Sequence, residues 1–112
     1  MRSIEKIECA VLPLVLKGEW YDLIASGEKK EEYRDLKPYW ERRIAKWLSN
    51  QKGQFDVSNK YLVIAFSRGY RKADMFFMLR YFEKRGFALM PEWGEPEKEH
   101  LVLGLGERIA VV

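Results

Sequence analysis

Residues 27–34 read Gly-Glu-Lys-Lys-Glu-Glu-Tyr-Arg (GEKKEEYR), and how this stretch is placed decides the fold. It lies between two apolar runs, CAVLPLVL at Cys9–Leu16 and YLVIAF at Tyr61–Phe66. A run of mixed charges is ordinarily a solvated face. In an extended chain, however, Lys30, Glu32 and Arg34 project to one face and Glu31, Tyr33 and Asp35 to the other. A strand packed on a core cannot carry charge on both faces unless one of them lines a cleft. A glycine turn followed by closely spaced Lys, Glu and Arg also supplies fixed donors for a phosphate, with an acid that orients the arginine or meets a base edge. GEKKEEYR is therefore expected to be a site rather than scaffold.

Upstream, Val11–Leu16 reads as a short strand whose Pro13 favours an edge or a strand start. Gly18–Ser26 follows with Trp20, Leu23 and Ile24 at helical spacing, and Gly27 suits the residue just past a helix end. Downstream, Pro38 fits the first turn of a second helix. Trp40, Ile44, Trp47 and Leu48 then mark one face of Tyr39–Ser49, with Arg42, Arg43 and Lys46 turned away. Asn50–Asn59 is polar and reads as a loop. Tyr61–Phe66 is the clearest strand, apolar throughout and so expected to be central. Ser67–Lys72 (SRGYRK) makes a turn, Met75–Phe82 returns as a strand, and Gly86 breaks it. Residues 90–100 (MPEWGEPEKEH) form a long acidic loop. Leu101–Leu105 and Arg108–Val112 close the chain as two strands, with Gly104-Leu105-Gly106 read as a turn.

The 112 residues suit one domain, 1–112, and 16 aromatic side chains suffice for a core. Cys9 stands alone and reads as a small buried hydrophobe, compatible with a reducing, cytoplasmic setting. Cys9–Leu16 is too short to span a bilayer. The net charge is only +3, but residues 60–85 hold seven Lys/Arg against two acids, while 86–112 hold five Glu against Lys98 and Arg108. Such asymmetry suits a polyanion partner. One His, one Cys and dispersed carboxylates point to no metal and no cofactor. His100, in the acidic loop without a serine elbow, is not expected to serve a nucleophile.

Gly27, Lys29, Glu32 and Arg34 stand as G-x-K-x-x-E-x-R, which resembles the signature of the ASCH domain, named for homology to a transcriptional coactivator. The likeness extends to the helix ending in ASGEK, to YRDLKPYW, to AFSRGY at Ala65–Tyr70 and to the terminal strand with LG. It implies an α+β, PUA-like fold: a small β-barrel flanked by two or more helices, with a cleft between barrel and first helix. It implies RNA or a nucleotide as partner, in RNA metabolism or the regulation of translation or transcription. Lys29, Glu32 and Arg34 would occupy the cleft, and Gly27 the turn before it.

Some small bacterial members, similar in the G-x-K start, are amidohydrolases that release acetate from N4-acetylcytidine. There a threonine occupies the place of Glu32. The alternative to a non-catalytic binder is thus an enzyme with Lys29 and Glu32 catalytic. Lys30 is expected beside them. In SRGYRK, Arg68 and Arg71 are expected to hold phosphate while Tyr70 stacks on a base. Trp20, Trp40 and Trp47 are assigned to packing, Tyr21 to the rim of the cleft and Trp93 to one end of the barrel. A third reading gives the acidic loop Glu92–Glu99 to protein interaction.

Overall fold

A computed structural model describes residues 1–51 and 60–112. Eight elements run in the order β1 (Ser3–Ile4), β2 (Cys9–Leu16), α1 (Gly18–Ala25), β3 (Glu31–Asp35), α2 (Pro38–Leu48), β4 (Tyr61–Arg68), β5 (Met75–Arg85) and β6 (His100–Val111), with short 3₁₀ turns at Lys6–Glu8 and Pro91–Trp93. The architecture is α+β: a six-stranded sheet curls into a half-barrel and carries two helices. Among the described residues, no helix is long and apolar enough to cross a membrane. Most of the expected loop Asn50–Asn59 lies outside the described residues.

The strand order is β1-β6-β5-β4-β2, with β3 paired antiparallel to β6. As expected, Tyr61–Phe66 falls in a central strand and Pro13 in an edge strand, where its missing N–H costs no ladder bond. Both faces of β4 are covered, which explains its unbroken apolar run. Leu62, Ile64 and Phe66 enter the main core with Leu12, Leu14, Leu16, Ile44 and Trp47. Val63, on the opposite face, joins Ile4, Cys9 and Ile109.

The chain departs from the sequence reading at its end. Residues 100–111 are one strand, with Gly104 and Gly106 inside it rather than at a turn. Packing is the reason. A Cβ on Gly104 would lie 2.3 Å from the ring of Tyr81, and one on Gly106 would lie 3.1 Å from the Met78 carbonyl oxygen. The glycines admit β5, whose pairing with β6 shifts register on either side of Leu79. Gly27 is as expected: its φ of +86° turns the chain out of α1 towards β3. Pro38 opens α2, also as expected.

Candidate functional site

The register across three strands sets the site. Glu31 pairs with Gly104 and Tyr33 with Val102 across β3–β6, while Tyr81 pairs with Gly104, Glu83 with Val102 and Arg85 with His100 across β5–β6. Alternation then puts Glu31, Tyr33, Tyr81, Glu83, Arg85 and His100 on one face. Glu32 and Arg34 take the other, beside the core residues Leu101 and Leu103. Charge does occupy both faces of β3, and each is treated differently.

On the first face lies a buried polar network. The Arg85 guanidinium donates to Glu31 from Nη1 and Nη2 at 3.1 and 3.0 Å, to Glu95 Oε2 at 2.7 Å and to Glu83 Oε1 at 2.7 Å. Tyr33 Oη donates to Glu31 at 2.8 Å, and Tyr81 Oη also donates to that carboxylate. Glu95 Oε1 accepts the backbone N–H groups of Leu89 and Met90, while its Oε2 lies 2.6 Å from His100 Nε2. The other ring nitrogen of His100, Nδ1, lies against the Lys98 carbonyl, so the buried ring is held at both ends.

Burial by itself raises the Glu31 carboxyl, but hydrogen bonds from Arg85, Tyr81 and Tyr33 outweigh it and hold the group below its ordinary value. Glu95 is held low in the same way, burial being outweighed by the Met90 N–H, His100, Arg85 and the Leu89 N–H. Burial and Glu31 together push the Tyr81 phenol up to about 12. The carboxylates converge on an arginine. Among the described residues no His, Cys, Asp and Glu cluster forms a metal site.

On the second face, Lys29, Glu32 and Arg34 come together. Lys29 Nζ lies 3.0 Å from Glu32 Oε1, and Arg34 Nη1 lies 2.7 Å from Glu32 Oε2. Lys29 is 3% exposed and Glu32 4%. The lysine amine also donates to the Trp93 carbonyl at 2.7 Å and sits 4.6 Å from the Trp20 ring centroid and 5.2 Å from that of Tyr33. It is enclosed. Arg34 is the member that reaches out: it donates to the Tyr33 carbonyl at 2.7 Å and the Val15 carbonyl at 3.3 Å, with its guanidinium 5.1 Å from the Trp40 ring.

Glu32 and Arg34 form part of the wall of a cleft of about 680 Å³, which β2 bounds on one side and Lys17, Trp20, Asp35, Tyr39, Trp40, Arg43 and Ser67 complete. Both helices contribute, α2 more than α1. Trp20 and Trp40, assigned to packing by spacing, therefore also line the cleft, and Trp40 touches the core as well. Trp47 is buried in the core, as its spacing suggested, with its Nε1 donating to the Ala10 carbonyl at 2.8 Å. Tyr21 is half-buried and donates to Asp74 at 2.7 Å.

The remaining candidates lie elsewhere. Lys30 does not reach the cleft: it precedes β3, where its carbonyl accepts the Leu105 N–H at 3.0 Å, is exposed, and borders a different hollow with Gly27, Arg80 and Glu107. Lys29, expected in the cleft, pairs with Glu32 behind it and is not part of the cleft wall. Arg68 is exposed and paired with Asp22 of α1 at 3.2 Å. Tyr70 and Arg71 are exposed and touch no wall of the cleft, although the Gly69 N–H ties their turn to the Leu16 carbonyl beside it. The acidic loop is not wholly solvated, since Glu95 is buried against Arg85.

The sequence reading missed Arg85, Glu95 and His100 as a network, and Lys17, Tyr39 and Arg43 as cleft residues. The alternation Tyr81, Glu83, Arg85 was its one visible signal; the register that brings it to Glu31 was not. No family model, curated protein or solved structure matches the chain.

Proposed function

We propose that the chain is an RNA- or nucleotide-binding domain of ASCH type, its half-barrel PUA-like, with Arg34 as the group that meets phosphate or a base edge. The observation that carries this reading is the cleft itself, in which Lys17, Arg34 and Arg43 stand among Trp20, Tyr39 and Trp40. Cations beside flat aromatic faces are what a phosphate and an unstacked base require. Lys29 and Glu32 serve this arrangement from behind. Glu32 holds Arg34 in one rotamer, and Lys29 neutralises Glu32 where water is excluded.

A hydrolase acting on a modified nucleoside such as N4-acetylcytidine is the second reading, favoured by the 3.0 Å approach of Lys29 and Glu32. Against it, the lysine amine is occupied by Glu32 and the Trp93 carbonyl and is no part of the cleft wall. Fluorescence anisotropy with short single-stranded RNAs and with free nucleotides tests the first reading. Binding should weaken steeply with salt and fall about tenfold or more in Arg34→Ala. Absence of binding to any RNA or nucleotide would falsify it. Release of cytidine from N4-acetylcytidine, lost in Lys29→Ala, would put the second reading in its place.

A further inference from the structure

The cleft does not end at α2. A second hollow, of about 350 Å³, runs between β2 and the C-terminal half of α2 and shares Pro13 and Arg43 with the first. Arg43 stands at the junction, donating to Tyr39 Oη at 2.7 Å and to the Pro13 carbonyl at 3.4 Å, with its guanidinium 5.6 Å from the Trp40 ring. Beyond it the wall is formed by Lys46, Asn50 and Lys60. The two hollows follow β2 from Ala10 to Leu16, roughly 20 Å at about 3.3 Å per residue. That is longer than one nucleotide.

Arg34 apart, the cations along this line are not taken up in ion pairs among the described residues. Lys17, Arg43, Lys46 and Lys60 have no carboxylate within ion-pair distance among the described residues. Asp35, the one other acid in the cleft wall besides Glu32, is paired with Lys37 at 3.5 Å and with Lys98 at 3.4 Å. A row of uncompensated cations, spaced along an edge strand and interleaved with Trp20, Tyr39 and Trp40, matches the repeat of a polyanion rather than a single charge.

We infer that the ligand of this cleft is a single-stranded polynucleotide several residues long, lying along the β2 edge, with Arg43 and Lys46 holding phosphates beyond the nucleotide at Arg34. The inference rests on the proposed function and deepens it. A duplex is disfavoured because the aromatic faces are useful only to unstacked bases.

The test is isothermal titration of the full chain with uridine monophosphate, a uridine hexanucleotide and a hexamer duplex. The hexanucleotide should bind about tenfold or more tighter than the mononucleotide. Lys46→Ala should narrow that gap while leaving mononucleotide binding unchanged. Lys46 is exposed and its side chain makes no hydrogen bond among the described residues, so this variant keeps the fold. Equal affinity for the two ligands, or a duplex binding as well as the single strand, overturns the inference and leaves the proposed function standing. So does a Lys46→Ala loss equal for both. Binding of none of the three removes both.

Discussion

Gly104→Ala tests the three-strand register on which the site depends. The new methyl would meet three atoms of the Tyr81 ring at 2.3, 2.4 and 2.5 Å, well inside van der Waals contact. These atoms belong to the body of the ring, so no small torsion relieves the overlap. Either β5 and β6 separate, or the ring swings out over the sheet. The first route is overpacking, which costs about 1–3 kcal/mol. The second gives up the hydrogen bond from Tyr81 to the Glu31 carboxylate, worth about 1.5–3 kcal/mol for a charged acceptor.

The protein takes the cheaper route, so the loss should be about 2 kcal/mol, or roughly 8 °C in Tm for a chain of this size. Urea unfolding of Gly104→Ala, Tyr81→Ala and the double variant measures it. Once the ring is gone the methyl has room, and the double variant should lose about 1–2 kcal/mol less than the sum of the singles. Additivity within about 0.3 kcal/mol would refute the reasoning, because the glycine would then be answering to something other than Tyr81.

Arg85→Met should destabilise by about 3–5 kcal/mol in the same assay, since it strands the buried Glu31 and Glu95 carboxylates; a loss under about 1 kcal/mol would mean that water reaches them. The pH dependence follows from the same two groups. Both carboxyls are held below the usual glutamate value of 4.5, so their contribution is complete above that pH and is lost as pH falls through the lowered folded values. Urea midpoints should therefore fall below about pH 4.5, and Glu31→Gln should lower stability at neutral pH while flattening that acid slope; an unchanged slope would remove Glu31 from the account.

Local pattern made much of this molecule legible. Helical spacing in Gly18–Ser26 and Tyr39–Ser49 placed both helices, Gly27 and Pro38 marked their boundaries, and the apolar run at Tyr61–Phe66 announced a strand covered on both sides. These features depend on near neighbours, which the sequence displays directly. The same holds for Glu32 and Arg34, whose alternation along the chain makes them candidates whatever the topology, while Lys29 joined them only through the resemblance to the ASCH signature.

Register was decided only in three dimensions. The expected same-face triad included Lys30, but the turn after α1 put Lys29 against Glu32 instead. Arg85 lies 54 positions from Glu31, and nothing near either residue announces that they meet. Gly104 read as a turn because a glycine's permissiveness is visible while the ring it must admit is not. Charge could be counted along the chain. Which charges are buried and matched, as around Arg85, and which among the described residues stand without an ion pair along β2, depended on strands and helices brought together by the collapse of a common core.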